Sequence, residues 1–342
     1  MKALKQKKTY LVAAAFCLLV IFGLGYYYFF TGFSDASETK YLYVDNDDTA
    51  DSVYQKLSSI GSRHGMTALS TLLRHQGYEG HVRTGRYAIS PDDGVLTVYR
   101  NLKNGRQTPV MLTIPESRTL ERLAAVLSGK LMMDSTSIMM ALTDSQAVAQ
   151  LGYNSCTVAC MFVPNTYEVY WNLSAEQLLN RMKKEHDAFW NYERLHKAEA
   201  LGLTANEVCT LASIIDEETA NNEEKPMIAG MYLNRLKEKM PLQADPTVKF
   251  ALKRFELRRI YKDMLATASP YNTYINIGLP PGPIKIASVK GIDAVLNRTA
   301  HDYLYMCAKE DFSGTHNFAR TYKEHLQNAA RYSKALNERG IK

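Results

Sequence analysis

Three consecutive acids, Asp216, Glu217 and Glu218, close the apolar run Leu211-Ala-Ser-Ile-Ile-Asp-Glu-Glu-Thr219. Acids grouped at a helix end are usually a solvated face, so what they can do depends on where each one points. At about 100° per residue, Val208, Leu211, Ile214 and Ile215 fall on one stripe. Glu218 follows Leu211 by seven positions, Ile214 by four and Ile215 by three, which puts it on that stripe. Asp216 and Glu217 splay to either side, a phase that aims them at water. A carboxyl on an apolar face tends to stay protonated, because burial disfavours its charged form. A carboxyl still protonated near neutral pH is what a general acid requires. The alternative is a buried Glu paired with an arginine, for which Arg235 is a candidate.

Polar, irregular stretches follow. Leu242-Gln-Ala-Asp-Pro-Thr-Val248, Ser269-Pro-Tyr-Asn-Thr-Tyr274 and Gly278-Leu-Pro-Pro-Gly-Pro-Ile284 read as long loops, uncommon in an ordered domain unless they serve a function. Gln243, Asp245, Thr247, Tyr271, Asn272, Thr273 and Tyr274 offer amides, hydroxyls and rings that suit acetamido sugars. Several also have a structural reading. Asp245 precedes a proline and can cap a helix or turn. Asn272 and Thr273 can hold their loop through side chain–backbone bonds. His316 can reach the site, but a satisfied structural histidine is the favoured reading. No HExxH, P-loop or GxGxxG is present. Cys17, Cys156, Cys160, Cys209 and Cys307 form no pair of CxxC motifs, so neither a metal nor a cofactor is expected. Cys156 and Cys160 can be a local disulfide or two free thiols.

The elements that must position these groups are those of an α+β chain. Residues 1–9 are a basic tail. Residues 10–30 are free of charge and match the roughly 20 residues a membrane-spanning helix needs. Lysines before the run and Tyr-Tyr-Tyr-Phe-Phe at its far end predict a cytoplasmic N-terminus and an interfacial aromatic belt. The bulky end argues against a cleaved signal peptide. Residues 31–40 form a polar linker, and 41–115 alternate short strands and helices as a small α/β module. Within it, Ser90-Pro-Asp-Asp93 carries capping-box spacing for a helix start. Residues 116–200 are mainly helical, with Met132, Met133, Met139 and Met140 as core filling. Residues 201–342 hold the densest signals. The net charge of +6 owes four of its charges to Lys2, Lys5, Lys7 and Lys8. The rest is nearly neutral, which argues against nucleic acid as a partner.

The C-terminal motifs resemble the MltG (YceG-like) family of membrane-anchored endolytic murein transglycosylases. The resemblance is carried by Leu211–Thr219, Leu233-Asn-Arg-Leu236, Met240–Val248, Pro270-Tyr-Asn-Thr-Tyr274 and Gly278–Ile284, in matching order and spacing. Upstream, Gly85-Arg-Tyr87 and the following helix look like the family's LysM-like module, and Pro164-Asn-Thr-Tyr167 like a further family loop. Three positions depart from the pattern: Asp216 where Glu is usual, Glu217 where a basic residue is usual, and Asn165 where Asp is usual. The negative charge at Glu217 is expected to raise the pKa of Glu218 slightly.

The resemblance implies Glu218 as the catalytic acid, beside which Gln243, Asp245, Thr247, Tyr271, Asn272, Thr273 and Tyr274 stand as substrate-binding candidates by their own chemistry. It implies a LysM-like module over 41–115, a helical connecting region over 116–200 and a lytic transglycosylase catalytic domain over 201–342. The implied substrate is the glycan strand of peptidoglycan, cut between N-acetylmuramic acid and N-acetylglucosamine to leave a 1,6-anhydro end. The implied setting is a single-pass protein of the cytoplasmic (inner) membrane, anchored in the bilayer through residues 10–30. Its catalytic domain would lie outside, near peptidoglycan synthases. The alternatives are a non-enzymatic peptidoglycan-binding scaffold and a two-carboxylate muramidase using Glu218 and Asp245. On this reading Asp216→Asn and Glu217→Gln should leave most activity.

Overall fold

The computed structural model describes residues 2–75, 77–257 and 259–340, with the backbone alone for residues 2–6. It is a mixed α+β chain of two compact units. One takes in the chain up to Met111 together with Lys130–Met132 and Glu168–Leu173. The other takes in Leu112–Gly129, Met133–Tyr167 and the chain from Ser174 onward.

The first unit begins with helix α1 (Lys2–Phe30). Its Lys7–Phe30 segment is, among the described residues, the one helix long and apolar enough to cross a membrane. After it come β1 (Lys40–Val44), α2 (Ala50–Ser58), α3 (Arg63–His75), β2 (Gly85–Ile89) and α4 (Val95–Asn104). β1 and β2 pair antiparallel with Leu42 opposite Tyr87. Strand alternation turns Leu42, Val44, Tyr87 and Ile89 inward onto Val53, Leu57, Leu69, Leu73, Val98 and Leu102. Thr49 and Ser52 form a capping box that starts α2. Gly105 ends α4 with φ of 65°, a left-handed cap that suits glycine. The expected capping box at Ser90 is absent. The N-cap of α4 is Gly94, and Asp93 instead accepts the Ser90 N–H to close a turn.

Strand β3 (Val110–Thr113) pairs with β4 (Thr166–Val169), and the chain changes unit within each. The second unit is mostly helical: α5 (Leu120–Ser128), α6 (Ser135–Thr143), α7 (Ser145–Gln150), α8 (Ala175–Phe189) and α9 (Tyr192–Ala200). α10 (Ala205–Glu218), α11 (Lys225–Lys237), α12 (Asp245–Ala251) and α13 (Val289–Leu296) follow. The hairpin of β5 (Tyr305–Ala308) with β6 (His316–Ala319) and α14 (Tyr322–Glu338) complete it. The methionine stripe is not core. Met132, Met133 and Met139 are half-buried and Met140 is exposed, while Met161 and Met182 fill the interior. All five cysteines are free, so Cys156 and Cys160 are not bonded to each other.

α10 is the axis of this unit. Every residue from Val208 to Ile215 is buried, Thr210 and Ser213 included. The two hydroxyls are tolerated because each donates to a backbone carbonyl one turn back, Thr210 to Asn206 at 2.8 Å and Ser213 to Thr210 at 2.7 Å. Ser213 also accepts the N–H of Ile284 at 3.0 Å, tying the Gly/Pro-rich loop to the helix. A capping box of Thr204 and Glu207 fixes where α10 begins. α13, α11 and α12 surround it, so the acids at its C-terminus emerge among three neighbouring elements.

Candidate active site

The three acids at the end of α10 have three different environments, and two of them differ from the expectation drawn from helical phase. Asp216 does not face water; its side chain is 1% exposed. It accepts from Lys225 Nζ at 2.7 Å, from the Ser288 N–H at 2.7 Å and from Ser288 Oγ at 2.8 Å. Phase places a residue on a helix face, but α11 and α13 cover that face here. α13 comes close because residue 291 is glycine: a Cβ there would sit 2.6 Å from Asp216 Oδ1. Glu217 does not face open water either. It holds the Arg118 guanidinium, with Nη2 at 2.8 Å, and lies 3.7 Å from Lys285 Nζ. These cations match its charge, and the causes that raise the Glu218 pKa do not include it.

Glu218, as expected, points to a cleft. It does not pair with Arg235, which spends its guanidinium on the carbonyls of Leu304 at 2.6 Å and Leu242 at 2.8 Å. Its partner is Tyr232 on α11, whose phenol donates to Glu218 Oε1 at 2.8 Å. The Glu218 pKa is raised to about 7. Desolvation is the main cause, and the negative charge of Asp245 adds to it. The Tyr232 bond, His316 and Lys249 pull the other way. Glu218 is also the last residue of α10, at the negative end of the helix dipole, which disfavours a second negative charge. As a residue Glu218 is half-buried, and it lines the cleft.

The cleft has a volume of about 330 Å³. Glu218, Tyr232, Gln243, Asp245, Tyr274 and His316 line it. Asp245 does not act as the expected helix cap. It is the first residue of α12, the N-cap is Ala244, and its carboxylate accepts the Tyr274 hydroxyl at 2.5 Å. Gln243 takes φ of 52°, which turns the chain sharply just before α12.

The remaining candidates hold the loops together rather than reaching the cleft. Thr247 and Thr273 are buried, with their hydroxyls 2.9 Å apart. Thr247 donates to the Ala244 carbonyl at 2.7 Å, and Thr273 accepts the Ala244 N–H at 3.0 Å. Asn272 is buried and donates to the carbonyls of Leu265 and Thr267, both at 2.9 Å. With the Tyr274 N–H on Asn272 Oδ1 as well, these backbone partners leave the side chains little to offer a ligand. Tyr271 faces a separate cavity of about 370 Å³, with Cys156, Phe250 and Lys285. That cavity is the larger and more apolar of the two, but it does not contain Glu218. Asn165 accepts the N–H of Thr166.

The sequence reading missed Tyr232, and it favoured a structural role for His316. His316 stands at the start of β6 and lines the cleft. Tyr232 follows Glu218 by fourteen residues on the next helix, a spacing with no local periodicity to reveal it. Among the described residues, no group of three or more His, Cys, Asp or Glu side chains could hold a metal ion.

A mixed α+β unit built on a buried helix, with one raised carboxyl opening on a polar cleft, is the architecture on which the family comparison can be placed. The sequence profile of the YceG-like family matches residues 42–331, and the chain belongs to that family. It is 39% identical over 168 residues to the endolytic murein transglycosylase of Bacillus subtilis (strain 168), covering 48% of this chain and 45% of that one. With the endolytic murein transglycosylase of Streptococcus pneumoniae serotype 2 (strain D39) it shares 27% identity over 336 residues. That match covers 87% of this chain and 59% of the relative. The chain thus spans between about half and three fifths of the length of these relatives. The crystal structure of a yceG-like protein from Listeria monocytogenes superposes with a TM-score of 0.54 at 25% identity, covering 85% of this chain and 99% of that one.

Proposed function

We propose that this chain is an endolytic peptidoglycan lytic transglycosylase that cleaves the β-1,4 bond between N-acetylmuramic acid and N-acetylglucosamine within glycan strands. The observation that carries the reading is Glu218, a carboxyl with its pKa raised to about 7 and opening on a cleft lined with sugar-compatible groups. Membership of a family whose relatives are named endolytic murein transglycosylases supports it.

Glu218 acts twice. Its protonated form gives the proton to the glycosidic oxygen as the C1–O bond breaks. The resulting carboxylate takes the proton of the muramic acid C6 hydroxyl as O6 closes on C1, forming the 1,6-anhydro ring. The nucleophile belongs to the substrate, so no second catalytic carboxylate is needed, unlike in ordinary glycosidases. Tyr232 holds the Glu218 carboxyl in one orientation, and stabilises the carboxylate after proton donation. Gln243, Asp245 and Tyr274 contact the sugars. Thr247, Asn272 and Thr273 shape the loops that carry those contacts.

The setting is part of the proposal. α1 anchors the protein in the cytoplasmic membrane with its N-terminus inside, residues 41–115 form a LysM-like module, and the cleft works outside on nascent strands beside peptidoglycan synthases. Retention in the membrane pellet after an alkaline carbonate wash tests the anchor. The reaction is tested by incubating the full chain in detergent with purified glycan strands and weighing the products. Anhydro-ended fragments are expected, and Glu218→Gln should reduce their rate by at least about a thousandfold. Reducing-end fragments would replace this reading with the two-carboxylate hydrolase, and bound but uncut strands with the scaffold.

A further inference from the structure

Glu224 and His316 meet beside the cleft although 92 residues separate them. Glu224 is the N-cap residue of α11, is buried, and does not line the cleft. Its Oε1 accepts the backbone N–H of His316 at 2.6 Å, and its Oε2 accepts from the ring Nδ1 at 3.0 Å. One carboxylate thereby fixes both the start of β6 and the direction of the imidazole. With Nδ1 engaged by Glu224, Nε2 is the polar edge of the ring left to meet a ligand. Among the described residues Nε2 has no hydrogen-bond partner, and the ring lines the same cleft as Glu218. An imidazole that only filled space would not require a buried carboxylate behind it. Apolar side chains could pack there without the cost of desolvating a charge. The pair is built to hold one edge of one ring towards the cleft.

We propose that His316 is a substrate-contacting residue. Its Nε2 makes a hydrogen bond with a hydroxyl or acetamido group of the sugar held over Glu218, and Glu224 is the positioning residue that sets the ring. This rests on the glycan-cleaving reading above. No proton changes hands at His316; its contribution is orientation of the sugar at the bond to be broken.

The test uses the full chain in detergent with Glu218→Gln as a non-cleaving parent, and fluorescently labelled, uncrosslinked glycan strands followed by anisotropy. Adding His316→Asn keeps a donor opposite Glu224 and deletes Nε2. It should weaken strand binding roughly tenfold, with the unfolding midpoint moved by no more than a few degrees. Adding His316→Gln, which returns a polar atom near the lost Nε2, should recover part of the affinity. In the otherwise wild-type chain, His316→Asn should raise KM by a similar factor. Unchanged affinity together with unchanged cleavage would overturn the role of His316 and leave that of Glu218 standing. A loss of binding matched by a collapse of the unfolding midpoint in both His316 variants would mark a structural prop, and also overturn it. Strands neither cut nor bound by the wild-type chain would overturn both readings.

Discussion

Asp216 and Glu218 are two enclosed carboxyls two residues apart on one helix, and they solve the problem of burial in opposite ways. Asp216 is met by an enclosed ammonium, Lys225, and by two further donors from Ser288. Among the described residues no cation lies within bonding distance of Glu218; a phenol meets it instead, which leaves the proton as the cheapest way to neutralise it. The first arrangement joins three helices; the second stores a proton beside a cleft. What distinguishes a structural acid from a chemical one here is not burial, which they share, but whether the neighbours satisfy the charge.

The largest effect that would test this contrast is at Asp216. Asp216→Asn leaves Lys225 buried without its counter-charge, and breaking such a pair costs about 3–5 kcal/mol. The unfolding free energy should fall by that amount, and Asp216→Asn combined with Lys225→Met should restore much of it. A single variant as stable as wild type would remove the distinction between the two acids.

Glu218→Gln should do the reverse, with a pH dependence whose sign is fixed by linkage. The folded value of about 7 lies above the ordinary carboxyl value of 4.5. Below about pH 4.5 the side chain is protonated in both the folded and the unfolded chain, and the wild type has no handicap. As pH rises towards and through 7, the unfolded chain releases the proton readily while the folded chain must give up one it favours. The wild type should therefore match Glu218→Gln near pH 4 and be less stable at pH 8, by on the order of 2–3 kcal/mol. Thermal unfolding across that range measures it. The same titration predicts that wild-type cleavage declines as pH rises through about 7, because the acid form is lost.

How much of this could be read from the sequence differs by residue. The phase of Glu218 was legible because its stripe is local: Leu211, Ile214 and Ile215 lie within two turns of it. Helix starts rest on equally local contacts, the caps Thr49, Thr204, Ser288 and Thr321. The fate of Asp216 was not, because Ser288 and Gly291 arrive from over seventy residues away. Thr247 and Thr273 carry the same polar groups whether they face a sugar or each other, and only the closing of two loops decides that. The Met132–Met140 stripe failed because periodicity reports a face, while the neighbours that would cover it come from other elements.

Glu217 supplies the smallest effect and the finest test. It shares the end of the helix with Asp216 and Glu218, but its main partner, Arg118, is 49% exposed, and Lys285 also pairs with Glu116. Solvent screens such a pair, and exposed ion pairs are worth about 1 kcal/mol or less. Glu217→Gln should therefore change the unfolding free energy by less than about 1 kcal/mol and leave product chemistry unaltered. It should also leave the pH at which cleavage declines where it was, because the cations around Glu217 already balance its charge. A decline moved to lower pH in Glu217→Gln would show that its charge does reach Glu218. The proton would then be held by the acidic cluster as a whole, and not by desolvation with the charge of Asp245.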